Sequence, residues 1–316
     1  MYPEFAPLHQ KIIFVTGSTA SGKSQWAIQL AKKYNGSIVN IDSIQFYEKL
    51  IIGSAAPTEV EKLQTPHYLY NYVPAPTEMT AGEFLRDFYK LLQRKDLQFP
   101  LFVVGGTGFY IQALEKGMYN IPEISQELKQ QIENEITFFG NEKAYNELIE
   151  FDPESKIHIN DAYRIGRALE IKRAFGKTMF QLKSDFEKNN KFNLKLPYLK
   201  IGKHLNKEIL FKNVTARTHK MLSAGLIQEV EPLFKQGLHQ WAPLQSVGYF
   251  EVVQYLQNKM PKENLNAEII QSTMQLIKKQ KTWFKRDDTI LWSDESVLIE
   301  KQIEQKIDLF LNESKI

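Results

Sequence analysis

The stretch Gly17-Ser18-Thr19-Ala20-Ser21-Gly22-Lys23-Ser24 has the spacing G-x-x-x-x-G-K-S. Each residue type in it has a chemical task. The glycines let backbone N–H groups converge on phosphate oxygens, and the helix that follows points its positive end the same way. Lys23 adds a full charge, and the Ser24 hydroxyl is a hard ligand suited to Mg²⁺. A Gly/Ser-rich turn without a ligand accounts for less, because the whole motif lies between an apolar run and an amphipathic one. The loop is expected to bind phosphate; which phosphate it holds must be read elsewhere.

A P-loop protein that hydrolyses a nucleotide usually carries a second acid at a strand end to hold the metal. The run LFVV, Leu101 to Val104, ends instead in Gly105-Gly106-Thr107-Gly108. Asp42, just after SIVNI, is open to three readings: metal ligand, base, or cap of the next turn. Thr107 should share a rim with it, since parallel strands open their C-terminal ends into one crevice.

These residues need a scaffold, and the chain supplies one. KIIFVTG, SIVNIDS and FPLFVVGG read as short buried strands. Between them, SQWAIQLAKKYNG places Trp26, Ile28, Leu30 and Ala31 at near-helical spacing. AGEFLRDFYKLLQRKD puts Phe84, Phe88, Leu91 and Leu92 on one face, and FYIQALEKG continues as a helix. From about Ile121 to Phe192 the pattern is helical throughout, with Phe138, Phe139, Tyr145, Leu148 and Ile149 as expected core. There Asp161 is placed to cap a helix that buries Ile165, Ala168 and Leu169 and stops at Gly176. KLPYLKIGKHL resumes a strand, and the remainder is expected to be helical. The fold class that follows is α/β: a P-loop-type parallel sheet with helices on both faces and an all-helical insertion. The core is expected to be discontinuous, 1–120 with 197–316, and the insertion to span 121–196.

With 43% hydrophobic and 24% charged residues, the 316-residue chain can bury a sizeable core. Its 40 basic and 37 acidic side chains give +3, so bulk charge points to no polyanion partner unless the basic residues cluster. Without cysteine there is no disulfide framework, thiolate metal site or Cys nucleophile. The N-terminal MYPEFAPLHQ lacks a charged and then apolar leader, and no run is long enough to span a membrane. A cytoplasmic protein is expected, by default a monomer.

The blocks GSTASGKS, NIDSIQFYEKLIIGSAAP, TPHYLYNY, VVGGTGFYIQAL, INDAYRIGRALEI, ARTHKMLSAGLIQEV, PLQSVGYFEVVQYL and KKQKTWFKRD occur in this order. So arranged, the chain resembles the tRNA dimethylallyltransferases, or tRNA isopentenyltransferases, from Ile12 to about Asp287. Members transfer a dimethylallyl group from dimethylallyl diphosphate to N6 of the adenosine 3′ of the anticodon. The resemblance implies that the P-loop holds an isoprenoid diphosphate rather than ATP, with Mg²⁺ as cofactor. It implies Asp42 as general base, Thr107 as a residue of the reaction channel, and Arg217 as a charge on the diphosphate. By itself Arg217 is an ordinary helix arginine.

The resemblance also implies tRNA contacts at Asp42, Ser43, Ile44, Gln45 and Thr107, and at Lys129, Tyr163, Arg164, Ile165, Gly166 and Arg167. Further contacts are implied at Gln245, Ser246, Val247, Gly248, Tyr249 and Phe250. A last set comprises Lys278, Lys279, Gln280, Lys281, Thr282, Trp283, Phe284 and Lys285. An RNA loop can splay its bases into a pocket, and interleaved lysines and aromatics suit backbone contacts and stacking. Taken alone, Trp283 and Phe284 could equally be core, and Arg164 and Arg167 surface charges. The chain departs from the family pattern at Ala56, where lysine is common, at Asn71, where an acid is usual, and at Phe250, where arginine is frequent. Tyr68 follows His67 where relatives often carry a second histidine, so His67 is read as structural. With no Cys/His zinc finger, the bacterial short form is the nearer pattern. Other readings are an adenylate isopentenyltransferase acting on free AMP, ADP or ATP, a P-loop kinase or ATPase, and an RNA-binding relative without catalysis. The helical insertion and basic C-terminal helix favour tRNA, since a mononucleotide requires neither.

Overall fold

The β-branched run Ile12–Gly17 is buried at every residue and forms β1 at the heart of a parallel sheet. The computed structural model describes residues 10–117, 124–189, 194, 196–294 and 296–313. After β1 come α1 (Lys23–Lys33), β2 (Ser37–Asn40), α2 (Glu59–Lys62), β3 (His67–Tyr68), α3 (Ala81–Leu91), β4 (Leu101–Val104) and α4 (Gly108–Lys116). The helical stretch holds α5 (Gln126–Phe139), α6 (Asn141–Phe151), α7 (Ala162–Phe175) and α8 (Met179–Asn189). The sheet then resumes with β5 (Tyr198–Lys203), followed by α9 (Lys207–Ser223), α10 (Leu226–Lys235), α11 (Tyr249–Leu256), α12 (Lys262–Phe284), β6 (Leu291–Ser293) and α13 (Val297–Asn312).

The strand order is β3-β2-β4-β1-β5-β6, and every pair is parallel. In register, Val15 of β1 faces Val104 of β4, which faces Asn40 of β2. The C-terminal ends of all three strands therefore reach one edge, where P-loop, Asp42 and Thr107 follow. Strands buried on both faces need cover on both. On one side α1 and α13 pack Trp26, Ile28, Leu30, Ile303 and Ile307 against Ile13, Val15, Phe102 and Ile201. An aromatic cluster, Phe46, Phe84, Phe88 and Tyr110, anchors α3 and α4; the Phe84 and Tyr110 rings stack 5.2 Å apart. A capping box between Thr80 and Glu83 starts α3.

The chain forms two compact units, Met1–Glu115 with Leu194–Ile316, and Lys116–Asn193. The expected boundary between residues 120 and 121 lies outside the described residues, as does most of the N-terminal segment MYPEFAPLHQ. In the second unit Ile132, Ala144, Leu148, Ile165, Ala168 and Leu169 form the core. Asp161 caps α7 by accepting the Arg164 N–H at 3.1 Å, and Gly176 ends it with φ 63°. Arg173 ties α5 to α6 through Glu135 and Glu147, each at 2.7 Å.

Two expectations are corrected. Phe138 and Phe139 are 81% and 52% exposed, not core. The inward stripe of α5 runs through Leu128, Ile132 and Ile136, and the two phenylalanines lie in the last turn before Gly140. The region after β5 is not all helical, because Leu291–Ser293 pairs with β5 as an edge strand. Three residues carry no readable period, and the pairing is supplied by the neighbouring strand. Among the described residues no helix is long and apolar enough to cross a membrane.

Candidate active site

The loop after β1 curls through left-handed residues, Ala20 at φ 62° and Gly22 at φ 83°. Such alternation gathers backbone N–H groups into an anion-binding concavity. Gly22 N-caps α1 without a side-chain hydrogen bond, and the first turn of α1 has no acidic residue. Its N-terminal donors are thus left to an outside anion. Lys23 Nζ folds back to donate to Ser18 O at 3.2 Å. Ser21 Oγ is buried with no hydrogen-bond partner among the described residues. Asn213 of α9 steadies the loop by donating from Nδ2 to Ala20 O at 3.0 Å.

Asp42 lies two residues beyond β2, and its backbone is fixed on both sides by the buried Asn40. The Asp42 N–H donates to Asn40 Oδ1 at 2.8 Å, and Asn40 Nδ2 donates to Asp42 O at 3.1 Å. Asp42 Oδ1 accepts the Ile44 N–H at 3.1 Å, so the capping role foreseen for it is real. Among the described residues no hydrogen bond engages its other carboxylate oxygen. Gly105 permits this placement: a Cβ there would stand 2.8 Å from Ile41 C and 2.9 Å from Asp42 N. Thr107 Oγ1 accepts the Ser43 N–H at 3.3 Å, joining the β4 turn to the Asp42 turn.

Arg217 reaches the same crevice from α9, donating from its guanidinium to Ser54 O at 3.4 Å. Burial lowers the Lys23 ammonium to about 8, with Asp42 acting upward and Arg217 further downward. Burial also lowers Arg217 from its ordinary value, against the upward pull of Asp42 and Tyr249. Two desolvated cations and one carboxylate therefore share a field. The carboxylate offsets one charge, and an anionic ligand would relieve the other.

Most of the remaining expected residues lie where a large ligand could reach them. Lys278, Lys279, Thr282 and Lys285 form an exposed face of α12, and Trp283 is 38% exposed. Trp283 also lies over the start of α4, where a Cβ on Gly108 would come 2.0 Å from its Nε1. Gln245, Val247, Phe250 and Lys279 border a cavity of about 190 Å³ between α11 and α12. In the helical unit Tyr163 is 83% exposed, Arg164 pairs with Asp161 at 3.4 Å, and Arg167 pairs with Glu170. Lys129 is half-buried in the first turn of α5.

Other side chains are turned inward. Ile165 and Phe284 are core residues, and Gly166 packs on Ile136. Tyr249 is fully buried, with its hydroxyl donating to Glu229 Oε1 at 2.7 Å. Gln280 points at the P-loop, and Lys281 Nζ donates to Leu205 O at 2.9 Å. In this structure these side chains hold the scaffold, Ile165, Phe284 and Tyr249 within the core and Gln280 and Lys281 half-buried.

Sequence reasoning missed Asn40, Asn213 and Glu229. Asn40 carried a signal: a polar residue ending an otherwise apolar buried strand. Asn213 did too, lying one turn before Arg217 on the same helix face. At the departures from the family pattern, Ala56 is 8% exposed. Asn71 has φ 49°, a left-handed conformation that asparagine tolerates, and donates to Tyr47 O at 3.0 Å. His67, expected to be structural, has its Nδ1 2.8 Å from Thr65 O.

The IPP transferase family model matches residues 45–287. A tRNA dimethylallyltransferase of Bdellovibrio bacteriovorus is 48% identical over 286 residues, 90% of this chain and 92% of the relative. One from Synechocystis is 37% identical over 90% of each chain. Among solved structures, a tRNA isopentenylpyrophosphate transferase of Staphylococcus epidermidis superposes with TM-score 0.63 at 31% identity, covering 95% of this chain and 99% of its own. A eukaryotic dimethylallyltransferase solved acting on tRNA gives TM-score 0.78 at 26% identity, covering 97% and 81%.

Proposed function

The chain belongs to the IPP transferase family, and from that premise we propose that it transfers a dimethylallyl group to tRNA. The donor is dimethylallyl diphosphate, and the acceptor is N6 of the adenosine 3′-adjacent to the anticodon, position 37. The observation that carries this reading is the pair of desolvated cations, Lys23 and Arg217, set with Asp42 around an uncapped helix N-terminus. An isoprenoid diphosphate suits that cradle, and the β4 turn has no acid to hold a metal for nucleotide hydrolysis.

The amine N6 attacks C1 of the isoprenoid, the C1–O bond breaks, and its electron pair leaves with diphosphate. Charge grows on the leaving group, where Lys23, the loop N–H groups and Arg217 are placed to meet it. Donors of this kind each lower a barrier by about 2.7–4 kcal/mol. An adenine amine is a very weak acid, so Asp42 takes its proton during or after C–N bond formation. Thr107, bonded to the Ser43 N–H, helps orient the base beside Asp42. Ser24, exposed at the start of α1, would hold Mg²⁺, which supplies further charge neutralisation to the diphosphate. The orphaned Ser21 hydroxyl and uncapped helix end fit a diphosphate in this loop.

Exposed Lys278, Lys279, Thr282, Trp283 and Lys285 are offered to the RNA backbone and its unstacked bases. In the helical unit Lys129, Tyr163, Arg164 and Arg167 are a second contact set. The enzyme would act as a monomer in the cytoplasm, where tRNA is found. Incubating the protein with labelled dimethylallyl diphosphate, an anticodon stem-loop and Mg²⁺, with AMP in a parallel reaction, tests the reading. Label in RNA supports it; label in AMP alone moves the enzyme to the adenylate branch.

A further inference from the structure

Outside the crevice, Glu229 in the first turn of α10 has an unusual set of partners. Its Oε2 accepts the N–H of Ile51 at 2.9 Å and of Ile52 at 2.6 Å, and its Oε1 accepts that of Gly53 at 3.1 Å. The Tyr249 hydroxyl adds a fourth bond to Oε1 at 2.7 Å and itself accepts the Ser54 N–H at 2.9 Å. A carboxylate accepts about four hydrogen bonds. Glu229 is therefore saturated, and four consecutive backbone donors are held by it and by Tyr249.

The turn so held is crowded against its anchor. A Cβ on Gly53 would come 2.5 Å from the Tyr249 ring and 2.8 Å from Leu226, so only glycine allows this approach. The opposite side of the turn faces the site. Ser54 O accepts from Arg217 at 3.4 Å, and Gln45 Nε2 donates to Ser54 O and to Ala55 O at 3.0 Å each. One segment thus takes a carboxylate on its N–H side and presents its carbonyls to the arginine that bears on the diphosphate.

We propose that Glu229, with Tyr249, is a positioning residue for the transfer reaction: it fixes the Ile51–Ala55 turn that orients Arg217 toward the diphosphate. This rests on the reading of Arg217 given above. Glutamine at 229 keeps the size of the side chain but turns an N–H₂ group toward backbone donors. The turn then shifts and takes the Arg217 brace with it. The role predicts coupling to Arg217, whereas a purely structural role predicts independent losses.

The test uses full-length wild type, Glu229→Gln, Tyr249→Phe, Arg217→Ala and the double variant Glu229→Gln/Arg217→Ala. Calorimetric binding of inorganic diphosphate and steady-state transfer to the stem-loop are measured, with thermal melts beside them. Glu229→Gln should weaken diphosphate binding and kcat/KM for the donor about tenfold, and Tyr249→Phe roughly threefold. The double variant should be no worse than Arg217→Ala, and KM for RNA should hold near wild type. Losses that multiply in full in the double variant, or Glu229→Gln binding diphosphate as wild type does, overturn the proposal. Tyr249→Phe keeps the buried ring and carries the test should Glu229→Gln melt early. Failure of wild type to transfer would sink the proposed function instead, and the diphosphate titrations would still decide the coupling.

Discussion

Gln280 accepts the backbone N–H of Thr19 at 2.8 Å while its amide donates to Gly106 O at 3.3 Å. One side chain of α12 thus ties the phosphate loop to the turn that carries Thr107, and brings the basic face of the same helix beside the crevice. Gln280, expected among the RNA contacts, here has its side chain engaged by these two loops.

Gln280→Ala should loosen both loops and leave the Thr19 N–H to solvent. Losing such hydrogen bonds costs about 0.5–1.5 kcal/mol each, so kcat/KM for the donor should fall about tenfold. Gln280→Glu, which adds a negative charge next to the anion, should fall further. Donor KM in both variants, measured against RNA KM, checks the assignment: an unchanged donor KM with raised RNA KM would return Gln280 to RNA binding.

Gly105→Ala tests how Asp42 is placed. Its Cβ would press on Ile41 C at 2.8 Å and Asp42 N at 2.9 Å. Backbone cannot yield as a flexible side chain can, and such overpacking costs about 1–3 kcal/mol. The melting temperature should drop and kcat should drop more than donor affinity. An equal loss in both would mean that the whole crevice, rather than Asp42, has moved.

The ammonium of Lys23 is lowered to about 8 from an ordinary 10.5, chiefly by burial. Between those values the folded protein holds fewer protons than the unfolded chain. The stability cost of burying the charge is present below about pH 8 and fades as pH rises toward 10.5. Donor capture runs the other way, because it needs the charged form. In a pH series kcat/KM for the donor should bend downward through about pH 8, and a flat profile to pH 9 would remove Lys23 from that role.

Lys11 is 7% exposed, and its Nζ donates to Phe310 O, Leu311 O and Glu313 O at 2.5, 3.0 and 2.8 Å. It closes the C-terminus of α13, where a cation also meets the negative end of the helix. Lys11→Met should lower stability by about 1–3 kcal/mol, read by chemical denaturation, while donor KM stays unchanged.

The four central strands and the P-loop were legible because their signals are local: short apolar runs, a glycine spacing, a helix stripe at Trp26, Ile28 and Leu30; the edge strands β3 and β6, two and three residues long, were not. The way the site is assembled was not. The tie from Gln280 to Thr19 joins residues 261 positions apart, and that from Glu229 to Ile51 joins residues 178 apart. No pattern in either stretch announces the other. Tyr249 shows the limit most clearly, since its motif indicated RNA while its ring is the buried wedge behind Gly53. Phe138 and Phe139 show the converse: apolar residues of α5 that the core formed by Leu128, Ile132 and Ile136 leaves outside.

Whether Asp42 is the base for transfer to RNA is decided by the single-turnover rate of dimethylallyl transfer to an anticodon stem-loop by wild type and Asp42→Asn, with RNA binding measured alongside. The asparagine keeps the size of the side chain and the acceptor for the Ile44 N–H but cannot take the N6 proton. Label should enter RNA at a rate lower by about 10²–10⁴-fold in the variant, and RNA affinity should change far less than the rate. A variant that transfers at the wild-type rate would contradict Asp42 as the base, and wild type that leaves the stem-loop unlabelled would contradict the RNA substrate.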